Sequence, residues 1–185
     1  MTAVTRLSQA IAEGDGISIL VEVEDEQGAT RAERQGAAGL VAGRGAVAVR
    51  SSSQLPLLHL GGTVAASGAA ADAVVISPDL AAWDEAHAFG LECVVRVRRP
   101  HDLERALEYF DPEIVLLSPD PDSDEDPLEA LLDLLHDVPA GKLAIAELRD
   151  ATTEDVGELE RAGVDAVLVA PGDVAALVRA EPPDV

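Results

Sequence analysis

Charged and hydroxyl residues stand at the ends of apolar runs that are typical of β-strands. Alternation in the run 17–25 places Glu22 and Glu24 on one face and the apolar Ile19 and Val21 on the other. Grouped at one end of a sheet, such residues would form either a pocket in which arginines bind an anion and a glutamate acts as base, or a self-neutralising ion-pair network. Both interpretations stay open for the full set, which is Glu22, Glu24, Arg96, Arg98, Ser118, Glu147 and Arg149.

The elements that must position these residues alternate along the chain. This alternation predicts a single α/β domain, 1–185, folded as a compact (βα)8 TIM barrel, with an N-terminal helix within 1–15 and a tail at 180–185. Because such barrels usually need about 250 residues, short or missing helices are expected. An open sheet with the glutamates in water is the alternative. Strands are predicted at 17–25, 37–42, 55–60, 73–77, 93–97, 114–118, 143–148 and 166–170, and helices at 5–13, 29–35, 63–71, 79–88, 100–110, 128–136, 153–162 and 173–179.

The segment 43–53 is the least regular part of the chain. It contains the sequence AVAVR between glycine-rich and serine-rich stretches, which favours a turn or a short strand. The thin second and third units therefore leave barrel closure open at this point.

Composition limits the classes of partner. A net charge of -22, with pI near 4.2, makes nucleic acid and anionic membrane surfaces poor partners, because both would be repelled. Twelve of the 13 basic residues are arginine, and this acidic, lysine-poor balance predicts a halophilic protein adapted to molar salt. A high-GC genome is the alternative explanation for the shortage of lysine.

Neither a metal site nor a cofactor is predicted. The one cysteine, Cys93, excludes an intrachain disulfide and is expected to be a small buried residue. The four histidines lie on different elements without ligand spacing, and the acidic run 120–126 lacks the pattern of a calcium loop. With no signal peptide and no apolar stretch of membrane-spanning length, a cytoplasmic location is expected.

Four stretches of the sequence carry a family resemblance. They are LSQAIAEGDGISILVEVE, LPLLHL, LECVVRVRRPHDLERAL and IAELRDATTEDVGELERAGVDAVLVAPGDV. Together they resemble indole-3-glycerol-phosphate synthase, one of the phosphate-binding TIM barrels. The resemblance implies a ring closure with loss of carbon dioxide and water, a lysine acid, glutamate partners, and a phosphate held by the loops after the last two strands.

Carried over by position, the resemblance assigns catalytic roles to Glu22 and Glu147. The family's lysines fall on Glu24 and Leu60, and the only lysine, Lys142, is at the start of the seventh strand. Further departures are Arg96 for a glutamate, Ser118 for an asparagine, Leu148 and Arg149 for Ser-Gly, and Ala170, Pro171 and Gly172 for Gly-Glu-Ser.

Because these departures remove the proton donors, we expect a barrel that lacks ordinary synthase activity. At most, it would bind a small phosphorylated or carboxylate ligand through Arg96, Arg98, Ser118, Arg149 and Gly172. One alternative is an active carboxy-lyase of tryptophan biosynthesis that uses Glu22 and Glu147. Another is a non-enzymatic interaction barrel, or a homo-oligomer, assembled through an edge exposed at the thin second and third units.

Overall fold

The expected alternation of strands and helices is present in the structure, a computed structural model that describes residues 6–61, 63–67 and 70–178. The predicted tail 180–185, the end of the last helix at 179, and Gly62 and Gly68 in the third unit lie outside these ranges. The elements are α1 Leu7–Ala12, β1 Ser18–Glu22, α2 Glu26–Arg34, β2 Gly39–Ala42, α3 Ala46–Ser52, β3 Leu57–His59, α4 Val64–Ser67, β4 Ala73–Ile76, α5 Leu80–Ala88, β5 Glu92–Val97, α6 Pro100–Tyr109, β6 Ile114–Leu117, α7 Pro127–His136, β7 Leu143–Glu147, α8 Thr153–Ala162, β8 Ala166–Val169 and α9 Val174–Val178.

The eight strands form a closed parallel barrel in sequence order. The β1 strand pairs with β8, with Leu20 opposite Leu168, and this pairing closes the ring. The predicted (βα)8 TIM barrel is confirmed, and each described strand is followed by a helix, so the helices are short rather than missing. The thin region also closes, because β2 pairs with both β1 and β3. The prediction that an exposed edge at these units supports assembly is therefore wrong for the described strands.

The prediction of a turn or strand for 43–53 is wrong, because AVAVR begins the helix α3. Parallel neighbours such as β2 and β3 need a crossover connection, and a helix provides it. The helix buries Ala46 and Val49, three residues apart, while Val47 is exposed. Arg50 anchors it by donating to the carbonyls of Ala70, Ser53 and Leu55 at 3.0, 3.3 and 3.2 Å.

Alternation along the strands separates two cores, as predicted for the first strand. Ile19, Val21 and Val23 pack outward among the helices, whereas Leu20 belongs to the core inside the barrel. The helix α1 closes the N-terminal end, where it inserts Leu7 and Ile11. The interior core comprises Leu7, Ile11, Leu20, Val41, Leu58, Ala73, Val94, Ile114, Leu116, Ile145, Ala166 and Leu168.

Several helix starts follow the sequence signals. The Asp79 carboxylate accepts a hydrogen bond from Ala82 N at 2.9 Å and caps α5, and Thr152 forms a reciprocal capping box with Asp155 at α8. Pro100 opens α6. Within the described ranges, no helix combines the length and apolar character required to cross a bilayer.

Candidate functional site

Four polar side chains line the C-terminal mouth of the barrel directly above its apolar core. Each follows a core residue by two positions, so it points to the same interior face. Active sites of TIM barrels lie at this end. The pairs are Leu20 and Glu22, Val94 and Arg96, Leu116 and Ser118, and Ile145 and Glu147.

These side chains and Arg149 form a connected group, the mouth network, defined as Glu22, Arg96, Ser118, Glu147 and Arg149. Ser118 Oγ donates to Glu147 Oε2 at 2.6 Å, and Arg96 Nη2 donates to the same oxygen at 3.3 Å. Arg149 Nε lies 3.5 Å from Glu147 Oε1, and Arg149 Nη1 donates to Glu22 Oε2. Arg149 therefore bridges the two glutamates to which the resemblance assigns catalysis.

The network becomes more exposed from the inside of the barrel outward. Ser118 is buried, the Glu147 and Arg96 side chains are 13% and 20% exposed, and Arg149 is 46% exposed. Burial lowers the pKa of Arg96, and the positive charges of Arg98 and Arg149 act in the same direction, while Glu147 opposes them. Arg96 Nε is buried and has no hydrogen-bond partner within the described chain. One donor of this partly buried guanidinium thus lacks an acceptor.

Glu24 and Arg98, which alternation also places at the mouth, lie outside the network. The strands end at Glu22 and Val97, and the N–H groups of Glu24 and Arg98 do not continue the ladder. Ser118, although it also follows the end of its strand, still donates its N–H to Val97 O at 2.9 Å. Both residues are exposed. The backbone of Arg98 donates to Asp102 Oδ2 at 3.1 Å, and its charge lies close enough to lower the pKa values of Arg96 and Asp120.

Gly172 lines a cleft of about 270 Å³ at the ends of β7 and β8. This is where the resemblance places a phosphate. The cleft also contains Arg149, which is already held by Glu22, together with the carboxylates of Asp150 and Asp173. A phosphate there would face two negative charges and would have to compete for the arginine.

The mouth lacks the chain's one lysine. Lys142 Nζ bonds Asp111 Oδ1 at 2.5 Å, at the opposite end of the barrel, where β7 begins. Leu60, at a position where the resemblance expects a lysine, packs against the interior core. No group of three or more His, Cys, Asp or Glu side chains within the described ranges is arranged to hold a metal ion.

A rim pair was missed by sequence reasoning. Arg99 Nε donates to Asp120 Oδ2 at 2.6 Å, and this hydrogen bond holds the pKa of Asp120 below its usual range. Together with Arg98, the pair lines a cleft of about 340 Å³ beside α6 and α7. The signal was present in the sequence, because Arg99 and Asp120 come two and three residues after the ends of β5 and β6, but the acidic run around Asp120 suggested only solvation.

Comparison with curated proteins finds three relatives, each named indole-3-glycerol phosphate synthase. The chain is 31% identical over 184 residues to that of Variovorax paradoxus (strain S110), which covers 88% of this chain and 64% of the relative. The Geobacillus sp. (strain WCH70) protein is 34% identical over 88 residues, covering 47% of this chain and 34% of the relative. That of Geobacillus thermodenitrificans (strain NG80-2) is 34% identical over 107 residues, covering 54% and 42%. The chain thus spans less than two thirds of the length of each relative.

Among solved structures, the N-acetylmannosamine-6-phosphate 2-epimerase from Clostridium perfringens superposes with a TM-score of 0.70. The alignment covers 86% of this chain and 87% of the epimerase, at 16% sequence identity, which supports the barrel fold alone. The chain matches no profile of a known protein family. Together, the relatives and the barrel identify the chain as distantly similar to indole-3-glycerol-phosphate synthase, and divergent from it.

Proposed function

We propose that this chain, a distant barrel similar to indole-3-glycerol-phosphate synthase, binds a small phosphorylated or carboxylate ligand in its mouth without carrying out synthase chemistry. The observation that carries this proposal is the buried guanidinium of Arg96. It points into the mouth and retains an Nε donor with no described partner. A buried donor without an acceptor is costly, by about 1–3 kcal/mol, and an anionic oxygen would remove that cost.

Within the described residues, the protein supplies no acceptor for Arg96 Nε. Glu147 Oε2 already accepts from Ser118 and from Arg96 Nη2, so it does not serve Arg96 Nε. Arg149 and Arg98 add positive charge around the same opening. Gly172 lines the neighbouring cleft, where a Cβ would meet nothing within 4 Å, so an anion that enters this cleft would find open space beside the backbone.

The proposed loss of synthase chemistry rests on the lack of a suitable proton donor at Leu60, Lys142 and Glu24. Leu60 packs into the core and has no proton to give, and Lys142 is bound to Asp111 at the far end. Glu24 is exposed, so the burial that a carboxylic-acid donor would need is absent there. If the ligand is related to the relatives' substrate, the protein would act in the cytoplasm beside tryptophan biosynthesis rather than as its lyase.

A calorimetric titration tests the proposal. The probes are inorganic phosphate and the anthranilate-derived sugar phosphate of the synthase family, with indole absorbance followed in the same sample. We expect saturable binding without indole, weakened at least about tenfold by Arg96→Gln because a charged hydrogen bond is lost. Arg99→Gln is the matched control, since it removes the same charge from the rim pair and should change affinity far less.

Two results would contradict the proposal. Absence of heat with either probe would leave the mouth network as a purely structural ion-pair cluster. Indole formation would show that Glu22 and Glu147 suffice for catalysis, which favours the carboxy-lyase. Circular dichroism of Arg96→Gln separates lost binding from lost folding.

A further inference from the structure

A second concave site lies at the opposite end of the barrel from the mouth. This lower cleft has a volume of about 360 Å³ and opens where α5 ends, β5 begins and α6 turns into β6. Its chemistry is carried by one aromatic wall and several carboxylates. The residues that matter are Trp83, His87, Glu92, Cys93, Asp111 and Glu113.

The aromatic wall of the cleft is Trp83, which belongs to the only cluster of aromatic residues in the sequence. Aromatics are only 2% of the sequence, and all four, Trp83, Phe89, Tyr109 and Phe110, lie between positions 83 and 110. The Trp83 ring lies 4.6 Å from the His87 ring and 5.4 Å from that of Phe110. Phe89 and Tyr109, the neighbours of Gly90 and Phe110, are 51% and 65% exposed. Phe89 and Tyr109 therefore expose apolar surface at the ends of α5 and α6, one and two residues away from the cleft residues Gly90 and Asp111.

The carboxylates of the cleft are unequally satisfied. Glu92 accepts from Leu7 N at 2.6 Å and pairs with Arg6 at 3.5 Å, so it is occupied. Asp111 gives one oxygen to Lys142 but keeps an 82% exposed side chain. Glu113 is exposed, and its side chain has no hydrogen bond or ion pair within the described chain. The cleft is thus lined by the indole ring of Trp83, by the unpaired carboxylate of Glu113 and by the carboxylate of Asp111, one oxygen of which is bound to Lys142.

The geometry points to the lower cleft as a binding site for a guanidinium or alkylammonium group, with its stem against Trp83 and its charge at Glu113 and Asp111. Cations are attracted to the faces of indole rings, and carboxylates accept their N–H groups. The net charge of -22 attracts cations to the surface as a whole. Arg6 already provides one guanidinium contact with the cleft, at Glu92.

The chain's only tryptophan makes the site directly observable. Ethylguanidinium chloride is titrated while Trp83 emission is recorded, against potassium chloride at the same ionic strength. We expect a saturable change with ethylguanidinium only. Glu113→Gln should raise Kd at least about fivefold, since it removes the unpaired charge, whereas Glu125→Gln, which removes the same charge from the exposed β6–α7 loop, should change it less than about twofold.

A second variant keeps the test independent of the fluorescence signal. Trp83→Leu, followed by calorimetry and checked for folding by circular dichroism, should weaken ethylguanidinium binding about tenfold because the indole face is lost. A linear, non-saturating response, equal shifts in the two glutamine variants, or undiminished binding by a folded Trp83→Leu protein would each overturn the proposal.

The source of the cation is decided by one further comparison. A free amine or guanidine as natural ligand predicts that ethylguanidinium binds within about tenfold of a short arginine-containing peptide. The side chain of a basic partner protein predicts that the peptide binds much more tightly, because it also covers Phe89 and Tyr109. In that case Tyr109→Ser should weaken binding of the peptide and leave binding of ethylguanidinium unchanged.

Discussion

Breaking the pair of Arg96 and Glu147 should cost much more than breaking an exposed pair. Replacing Glu147 by glutamine removes the carboxylate that faces Arg96 and Arg149, while an amide oxygen can still accept from Ser118. Exposed pairs contribute about 0–1 kcal/mol, and breaking a fully buried pair costs about 3–5 kcal/mol. With side chains 20% and 13% exposed, this pair is nearer the buried limit, so we expect Glu147→Gln to lower the free energy of unfolding by about 2–3 kcal/mol.

A double-mutant cycle isolates the interaction. Arg96→Met leaves Glu147 with Ser118 and Arg149 and should lower the free energy of unfolding by about 1–2 kcal/mol. The double variant should lower it by little more than Arg96→Met alone, because neither partner then leaves an unpaired buried charge. The coupling energy is then about 2 kcal/mol. The assay is urea unfolding followed by circular dichroism, at one fixed concentration of potassium chloride for all variants.

The matched control is the rim pair, with Arg99→Met and Asp120→Asn. Because the Arg99 side chain is 61% exposed, although that of Asp120 is only 19% exposed, the coupling of this pair should be smaller than that at the mouth. A mouth coupling below about 0.5 kcal/mol, or one no larger than that of the rim pair, would refute the claim that burial makes this network a stabilising unit.

The remaining predictions concern other parts of the barrel. Gly45→Ala should lower the free energy of unfolding by about 1–3 kcal/mol, because its Cβ would overlap the Glu24 carbonyl oxygen. Gly157→Ala, within α8 and in open space, should raise it by about 0.5–1 kcal/mol, and urea unfolding midpoints measure both. Burial raises the pKa of Cys93 from 9.0 to about 11. The stability that the neutral thiol contributes is therefore fully present below pH 9 and is lost as the pH rises toward 11. Urea unfolding at about pH 8 and about pH 10.5 should show a lower free energy of unfolding at the higher pH. Iodoacetamide should alkylate the native thiol far more slowly than the unfolded one. Glu92→Leu should cost about 2–4 kcal/mol, since backbone donors of α1 lose their acceptor, and thermal melting would detect it. Dilution from molar to millimolar potassium chloride should loosen the chain, and an unchanged circular dichroism spectrum and melting temperature would contradict the halophilic prediction.

Strand alternation was enough to predict the deepest part of the candidate site. Because each of Glu22, Arg96 and Glu147 follows an apolar residue of the same face by two positions, their entry into the mouth follows from the period of the strand. The contact between Ser118 and Glu147 follows in turn from adjacent strands β6 and β7. The bridge from Arg149 to Glu22 depends on closure through β8, which no local pattern contains.

The errors arose where tertiary structure overrides local preference. AVAVR has the β-branched alternation of a strand, yet it folds as α3 because a parallel pair needs a crossover there. Glu24 and Arg98 were extrapolated past the last paired residues of their strands. The role of Glu92 as a buried acceptor for α1 joins residues 85 positions apart, and no spacing rule connects them.

The apolar interior core of the barrel separates its two polar ends. Leu20, Leu116 and Leu168 fill the space between the two polar ends, and Leu7 and Ile11 complete the seal. Among the described residues, the side chains of this interior core are apolar, so substitutions at one end should combine additively with those at the other. The two ends of the barrel can therefore be altered independently. A lysine introduced at position 60 would change the chemistry of the mouth and leave ligand binding at the lower cleft unaffected.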